Sequence, residues 1–445
     1  MSLLWFFVFA GLVASPVVAV ESMAQTMLKS VMPRFETPPL FDDEAGGNAD
    51  GDDPAIWVHP QHPPLSLVIA TKKNAGLSVY TLRGHELQAI PTPPAPSPDD
   101  APGRFNNVDI LYGFRLGDRT VDLAVTTDRG RDQLRFYVVE RHDLGGRHAP
   151  LQDVTGAQVP FVFSGDQTQV NAQRTAYGLA AWKEKDGTSY AFVSQRERTV
   201  IANVRLLDAG DGTVGYEVVG SVTLPKRFTL PNGTTWKPCG DPGTEPQVEG
   251  MAVDRDRRVL YAAQEDVGIW RMDLNFTNPV LIDRVREYGV LWEFDAEQEE
   301  CVILYEQDPG FGGQHLAADA EGLTIYSGPN LEGYVLASSQ GDDTFAVYER
   351  KGDNTYLGSF EVKPAGKRRI DGVQASDGAA VINVPLNAIF PDGLLVFHDG
   401  ENTPEVLDDA GEVRPNTNFK FIRWEGIAQA FDPPLLIDPH SREPR

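Results

Sequence analysis

One pattern constrains this chain more than any other: an acidic or polar residue, often with glycine behind it, opens a short apolar run. It stands as Asp53-Pro-Ala-Ile-Trp57, Asp109-Ile-Leu-Tyr112, Tyr177-Gly-Leu-Ala-Ala-Trp182, Glu249-Gly-Met-Ala-Val253, Glu321-Gly-Leu-Thr-Ile-Tyr326 and Asp371-Gly-Val373. The leading residues are 56, 68, 72, 72 and 50 positions apart. A second unit follows each one: strand, polar turn, strand. The copies are VIATKKNAGLSVYTL from Val68, LAVTTDRGRDQLRFYVV from Leu123, AFVSQRERTVIANVRLL from Ala191, LYAAQEDVGIWRM from Leu260, YVLASSQGDDTFAVYER from Tyr334 and LLVFHDGEN from Leu394. β-rich runs around turns of Gly, Asp and Asn read as hairpins. Hairpins can build a sandwich as well. Six ordered copies of a two-part unit favour radial repetition, which also protects sheet edges. The expected fold is all-β, a six-bladed β-propeller. Its 445 residues would suit two or three domains, but large all-β folds run this long as one unit. A single domain over 33–445 is therefore expected.

Radial repetition has a chemical consequence, since equivalent positions share a radius and a height about the axis. The first units predict a ring of Asp53, Asp109, Tyr177, Glu249, Glu321 and Asp371. The second units predict a ring of Lys73, Arg129, Arg196, Glu265, Gln340 and Asp399. Carboxylates gathered at an axis cannot all stay ionised unless something compensates them. Hard cations with flexible oxygen coordination do so, calcium above all. Asp52, Asp266, Asp319, Asp377 and the Asp342-Asp343 loop lie beside ring members and add candidate ligands. No EF-hand spacing occurs, so the ligands would come from distant parts of the chain. Taken singly, each acid reads as a solvated turn residue, and the shared repeat position is what singles it out.

Lys73, Arg129 and Arg196 would form an anion-attracting half-face, with Tyr177 as a hydrogen-bond donor. The bland alternative is three surface cations paired with nearby acids. Phosphoryl transfer needs charge neutralised and a water delivered in line. Metal-assisted hydrolysis can do both without a Ser or Cys nucleophile. Competing motifs are weak. No nucleophile elbow, Walker loop, HExxH or paired CxxC is present. His59 and His62 sit in a Pro-rich turn, His315 and His398 are isolated, and Gly310-Phe-Gly-Gly313 lacks the context of a phosphate loop.

The formal charge of −25 argues against a nucleic-acid partner, which clustered Lys and Arg would bind. Leu3 to Ala19 form an apolar run ending in a small residue, read as a signal peptide over 1–19 and cleaved between Ala19 and Ala24. No Lys or Arg precedes that run, and a membrane anchor is the alternative reading. A secreted or periplasmic monomer, free of the membrane once the leader is removed, is expected. Cys239 and Cys301 suit one disulfide in an oxidising compartment, or two unrelated buried thiols.

Several stretches, taken in order, resemble the β-propeller phytases: DDPAIWVHP from Asp52, NNVDILYGF from Asn106, VEGMAVD from Val248, EDVGIW from Glu265, DAEGLTIY from Asp319, YVLASSQG from Tyr334, HDGEN from His398 and NFKFIRWEGIA from Asn418. The resemblance implies a calcium-bound propeller that hydrolyses calcium phytate. Carried over by motif, Lys73, Arg129, Tyr177 and Arg196 would contact the cleaved phosphate, with Asn74 beside them where other members carry a second lysine. Calcium ligands would include Asp52, Asp53, Asp109, Glu249, Glu265, Asp319, Glu321, Asp371 and Asp377. An upstream glutamate corresponds to Glu36 or Glu44. The segments Arg227 to Gln247 and Trp292 to Phe311, which hold both cysteines, look longer than in compact members. Two rival functions use similar residues: a calcium-dependent propeller lactonase, and a calcium-stabilised propeller that binds anions without catalysis. The lactonase would not need the three cations together.

Overall fold

The second strand of each predicted unit is apolar almost throughout, as expected where a sheet is covered on both faces. Leu67–Thr71, Val259–Gln264 and Leu394–Asp399 are buried at every position. The computed structural model, which describes residues 28–140, 149–298 and 300–439, shows why. Each such strand is the second of a four-stranded antiparallel blade, with another blade packed on either side.

Blade one is Pro54–Trp57, Leu67–Thr71, Leu77–Thr81 and Glu86–Ile90. Blade two is Phe105–Leu116, Arg119–Asp128, Gln133–Val139 and Leu151–Asp153. Blade three is Ala176–Lys183, Ser189–Gln195, Val200–Gly210 and Thr213–Thr223. Blade four is Val248–Asp254, Val259–Gln264, Gly268–Asp273 and Val280–Arg284. Blade five is Ala320–Ser327, Gly333–Ser339, Thr344–Glu349 and Tyr356–Val362. Blade six takes Ala379–Ile382, Leu394–Asp399 and Asn416–Arg423 from the end of the chain.

Blade six is completed from the beginning of the chain. Phe35–Glu36 and Leu40–Phe41 both pair antiparallel with Asn416–Arg423, and Lys29–Val31 adds in parallel to the edge of blade five. The propeller therefore takes in residues ahead of the predicted boundary at 33. The ring is closed by hydrogen bonds between chain ends far apart in sequence. The inner strands touch in sequence order around the axis, the last returning to the first.

The core lies between blades. Phe105 and Ala124 pack with Ile69 and Val79 between blades two and one, and Leu123 and Phe136 pack with Ala191 and Val204 between blades two and three. Phe192, Leu260 and Val335 belong to a larger cluster that runs from blade three to blade five. Phe345 and Phe397 stack at 3.7 Å between blades five and six. Outside the blades, a disulfide joins Cys239, ahead of blade four, to Cys301 in the hairpin Trp292–Asp295/Glu300–Ile303. It links the two long segments around blade four. The apolar leader and its cleavage region lie outside the described residues. Among the described residues, no helix is long and apolar enough to cross a membrane.

Candidate active site

The inner strand of a blade does not enter the sheet evenly. In blades two to five its register slips just after the first paired residue, between Phe105 and Val108, Ala176 and Leu179, Val248 and Met251, and Ala320 and Leu323. Each slip is a bulge with two residues opposite one, which re-aims a side chain. The bulged pairs are Asn106-Asn107, Tyr177-Gly178, Glu249-Gly250 and Glu321-Gly322. Asp52-Asp53 and Asp377-Gly378 hold the same place in blades one and six, where Thr71 N donates to Asp53 O (3.0 Å) and His398 N to Gly378 O (3.0 Å).

The glycines of these pairs mark close approach between blades. A Cβ on Gly178 would stand 2.0 Å from Glu249 O, and one on Gly250 would stand 2.2 Å from Glu321 O. The acid-glycine pattern is thus the signature of a bulge pressed against the next blade.

The axial ring is therefore Asp52, Asn106, Tyr177, Glu249, Glu321 and Asp377. This corrects the ring expected from the sequence at three positions. Asp53 is the second residue of its bulge, and its Oδ2 accepts from Val108 N of blade two (3.1 Å). Asp109 lies three residues deeper, with its Oδ2 accepting from Ala181 N of blade three (2.8 Å). Both line the axial channel, a cavity of about 160 Å³. Asp371 is remote from the ring. With Glu36 and Asp399 it surrounds the fully buried Lys420, whose Nζ is 2.9 Å from Glu36 Oε2 and 2.9 Å from Asp399 Oδ2. The second ring also shifts at blade six, where Gly400 and not Asp399 stands equivalent to Glu265.

Within the ring the side chains converge on Glu249. Its Oε1 accepts from Asn106 Nδ2 (2.9 Å) and its Oε2 from the Tyr177 hydroxyl. Carboxylate oxygens of Glu249, Glu265 and Glu321 lie within 4.8 Å of one another, all buried. Gln247 Nε2 donates to Glu265 Oε2 (3.0 Å), but Glu265 Oε1 and Glu321 Oε2 are buried without a hydrogen-bond partner among the described residues. Burial first, and then mutual repulsion, pushes the Asp52, Glu249, Glu265 and Glu321 carboxyls up. Asp319, next to this group, is raised to about 6 by burial and by Glu249 and Asp377. Asp266 is raised by burial and then by Asp319 and Glu287. Packed, partly unpartnered carboxylates of this kind are an all-oxygen donor set for a hard divalent cation. The residues present fit such an ion.

The other half of the ring is cationic. Lys73 Nζ is 3.5 Å from Asp377 Oδ2, and Asp377 Oδ1 also accepts from Gln340 Nε2 (2.7 Å). Burial opposes the charge on Lys73, yet Asp377, Asp52, Asp50 and Glu249 hold its pKa above the ordinary lysine value. The Arg129 guanidinium lies 5.5 Å from the centroid of the Tyr177 ring and donates to Asn106 Oδ1 (3.3 Å). Arg196 pairs with Glu197 and donates to Gln173 O (3.4 Å). Burial and then Glu249 push the Tyr177 hydroxyl up, so it remains a donor at neutral pH. His398 is held neutral, lowered to about 4 by burial, and its Nδ1 accepts from Asp377 N (3.1 Å).

The structure thus brings together Asp52, Glu249, Glu265, Asp319, Glu321 and Asp377 with Lys73, Arg129, Tyr177 and Arg196. It leaves Glu36 and Asp371 around Lys420. Asn74 sits beside Arg104, with its Oδ1 accepting from Arg104 Nη1 (3.2 Å). Sequence reasoning missed Asn106 and Arg104. The signal for Asn106 lay in the motif NNVDILYGF, whose repeat position was read three residues too late, at Asp109.

A family model described as Phytase matches residues 6–228 and 280–445. The 3-phytase of Bacillus subtilis (strain 168) is 32% identical over 400 residues, which cover 88% of this chain and 83% of that protein. Likeness to solved structures is looser. Chaetomium thermophilum Sqt1 is 14% identical with a TM-score of 0.41, over 88% of this chain and 100% of that one. A chain of the mitotic checkpoint complex is 12% identical with a TM-score of 0.40, over 95% and 98%. Neither of these two carries weight. The family match covers most of the chain, on both sides of 229–279, and on that ground the chain belongs to the phytase family.

Proposed function

We propose that the protein is a secreted, calcium-dependent phosphomonoesterase that releases inorganic phosphate from phytate bound as its calcium complex. One observation carries the reading: a buried, partly unpartnered carboxylate group at the axis faces Lys73, Arg129 and Arg196, with Arg129 resting on the neutral acceptor Asn106 and the Tyr177 ring. Family membership and the name of the Bacillus relative supply the substrate. The apolar leader supports export.

The chemistry divides between the two halves of the ring. Lys73, Arg129 and Arg196 bind and orient phosphate oxygens, the guanidinium forks matching their geometry. Tyr177, whose hydroxyl donates to Glu249, stands at the border between the halves. Glu249, Glu265, Glu321, Asp52, Asp319 and Asp377 would hold calcium. When bound, calcium supplies the positive charge that neutralises these carboxylates and the phosphate together. The arrangement needs no covalent nucleophile.

The test is phosphate release from purified protein and phytate, with calcium, after chelation, and with calcium restored. Release that depends on calcium supports the reading. Equal release with and without the chelator overturns the calcium dependence, and no release under any of these conditions overturns the activity.

A further inference from the structure

One carboxylate beside the acidic half of the ring comes from no repeat unit. Glu287 stands just past the outer strand of blade four, in the segment that leads to Asp319 and blade five. Its turn is fixed from both sides. Arg286 N donates to Leu316 O (2.8 Å), while Trp236 packs on Tyr288 (4.7 Å between ring centroids) and donates through Nε1 to Val290 O (2.8 Å). The two carboxylate oxygens divide their work. Oε2 accepts from the backbone N of Ala318 (3.0 Å), the residue before Asp319, and Oε1 accepts from the Tyr305 hydroxyl (2.8 Å). Tyr305 follows the hairpin that the disulfide ties to Cys239. Glu287 and Asp266 line one cavity of about 180 Å³, walled by Trp236, Trp292 and the two cysteines. The Glu287 charge adds to the burial and repulsion that raise Asp266 and Asp319. Groups placed behind metal ligands set their direction, and charge count and rigidity together set the affinity for a hard cation.

We propose that Glu287 is a positioning residue that tightens the hold of the acidic half on calcium, by fixing the backbone that carries Asp319 and by adding a negative charge beside Asp266. The proposal rests on the calcium reading above. It gives the disulfide-tied segments a part in the site: through Tyr305 they hold Glu287, and through Glu287 they reach Asp319.

Calorimetric titration with calcium chloride, and melting curves in calcium and in EDTA, test it on Glu287→Ala, Glu287→Gln and Tyr305→Phe beside the parent. Glu287→Ala loses both contacts and the charge, and should raise the calcium dissociation constant about tenfold. Glu287→Gln keeps an acceptor for Ala318 N and loses the charge, so its loss should be smaller. Tyr305→Phe keeps the charge but frees one end of the carboxylate, and should also cost less than Glu287→Ala. The melting curves separate this role from a merely structural one. Removing a like charge from packed carboxylates relieves repulsion, so Glu287→Gln should melt at or above the parent in EDTA. Its rise on adding calcium should be smaller than the parent's. An unchanged dissociation constant for Glu287→Ala would overturn the proposal. So would a Glu287→Gln variant that melts below the parent in EDTA yet keeps the parent's full rise on adding calcium. A parent that binds no calcium is a different failure, since it overturns the calcium reading itself and the proposal falls with it.

Discussion

At the scale of single residues, the site sets two kinds of charge against each other, and they should fail differently. Arg129 meets its neighbours through the Tyr177 ring and a neutral acceptor, Asn106. Arg129→Ala should therefore leave the carboxylates intact while lowering kcat/KM by about 2 to 4 kcal/mol in transition-state stabilisation. Its calcium midpoint should match the parent. Glu249 accepts from both Asn106 and Tyr177 at the centre of the ring. Glu249→Gln keeps the shape but removes a charge, so activity should fall and recover in part at higher calcium. Calcium titrations of activity for both variants beside the parent decide the matter. A Glu249→Gln curve with the parent's midpoint would remove Glu249 from the calcium ligands.

At the scale of the element, the bulge explains what the sequence pattern meant. Reading the repeat as a strand start puts Asp109 and Asp371 in the ring, because each leads an apolar run just as Glu249 does. Pairing registers are set across strands, and they show that the ring residue is the first of two that slip out of the ladder. The glycine behind it is needed for space. Gly250→Ala would drive a Cβ to 2.2 Å from Glu321 O, a backbone atom of the next blade. Overpacking of this kind should cost roughly 1–3 kcal/mol or more in denaturant unfolding. An unchanged midpoint would mean that the blades can shift apart freely. The disulfide also acts on one element. Cys239 and Cys301 are 62 residues apart and enclose the whole of blade four. Replacing both with serine should cost about 3 to 5 kcal/mol through the freed loop. Peptide mapping of the unreduced protein should recover the two cysteines as one linked pair, and free alkylation of both would refute the link.

At the scale of the whole molecule, ring closure places Asp52, Glu249, Glu321 and Asp377 of four blades near one axis, so on the calcium reading stability and function should depend on the same cation. The raised carboxyls fix the sign of the pH dependence. Asp319, at about 6, holds its proton more tightly in the folded state than in the unfolded chain. Without metal, that contribution is full below about pH 4 and is lost as the pH rises through about 6. A cation that binds the ionised carboxylates reverses the loss and stabilises the native state by mass action. The melting temperature should therefore fall on chelation, by a gap that widens from about pH 5 to about pH 7.5. Melting curves with calcium and with EDTA across that range test this. A gap that is absent, or constant with pH, would separate the carboxylate cluster from calcium binding.

By itself the sequence determined the six-fold hairpin repeat, the all-β class and the residue types gathered at the axis, because hairpin chemistry and strand burial are local properties. Glu249, Glu321, Lys73 and Arg129 were legible because each stands at a fixed place in a repeated local unit. The tertiary structure alone decided which residue of each unit faces the axis, since the register of a bulge depends on the neighbouring strand. It alone brought Glu36 to Lys420 across nearly the whole chain, through the strands that close blade six. It also turned Arg104, which belongs to no repeat position, into a neighbour of Arg129. Contacts between residues remote in sequence leave no local period, so only the closed ring could reveal them.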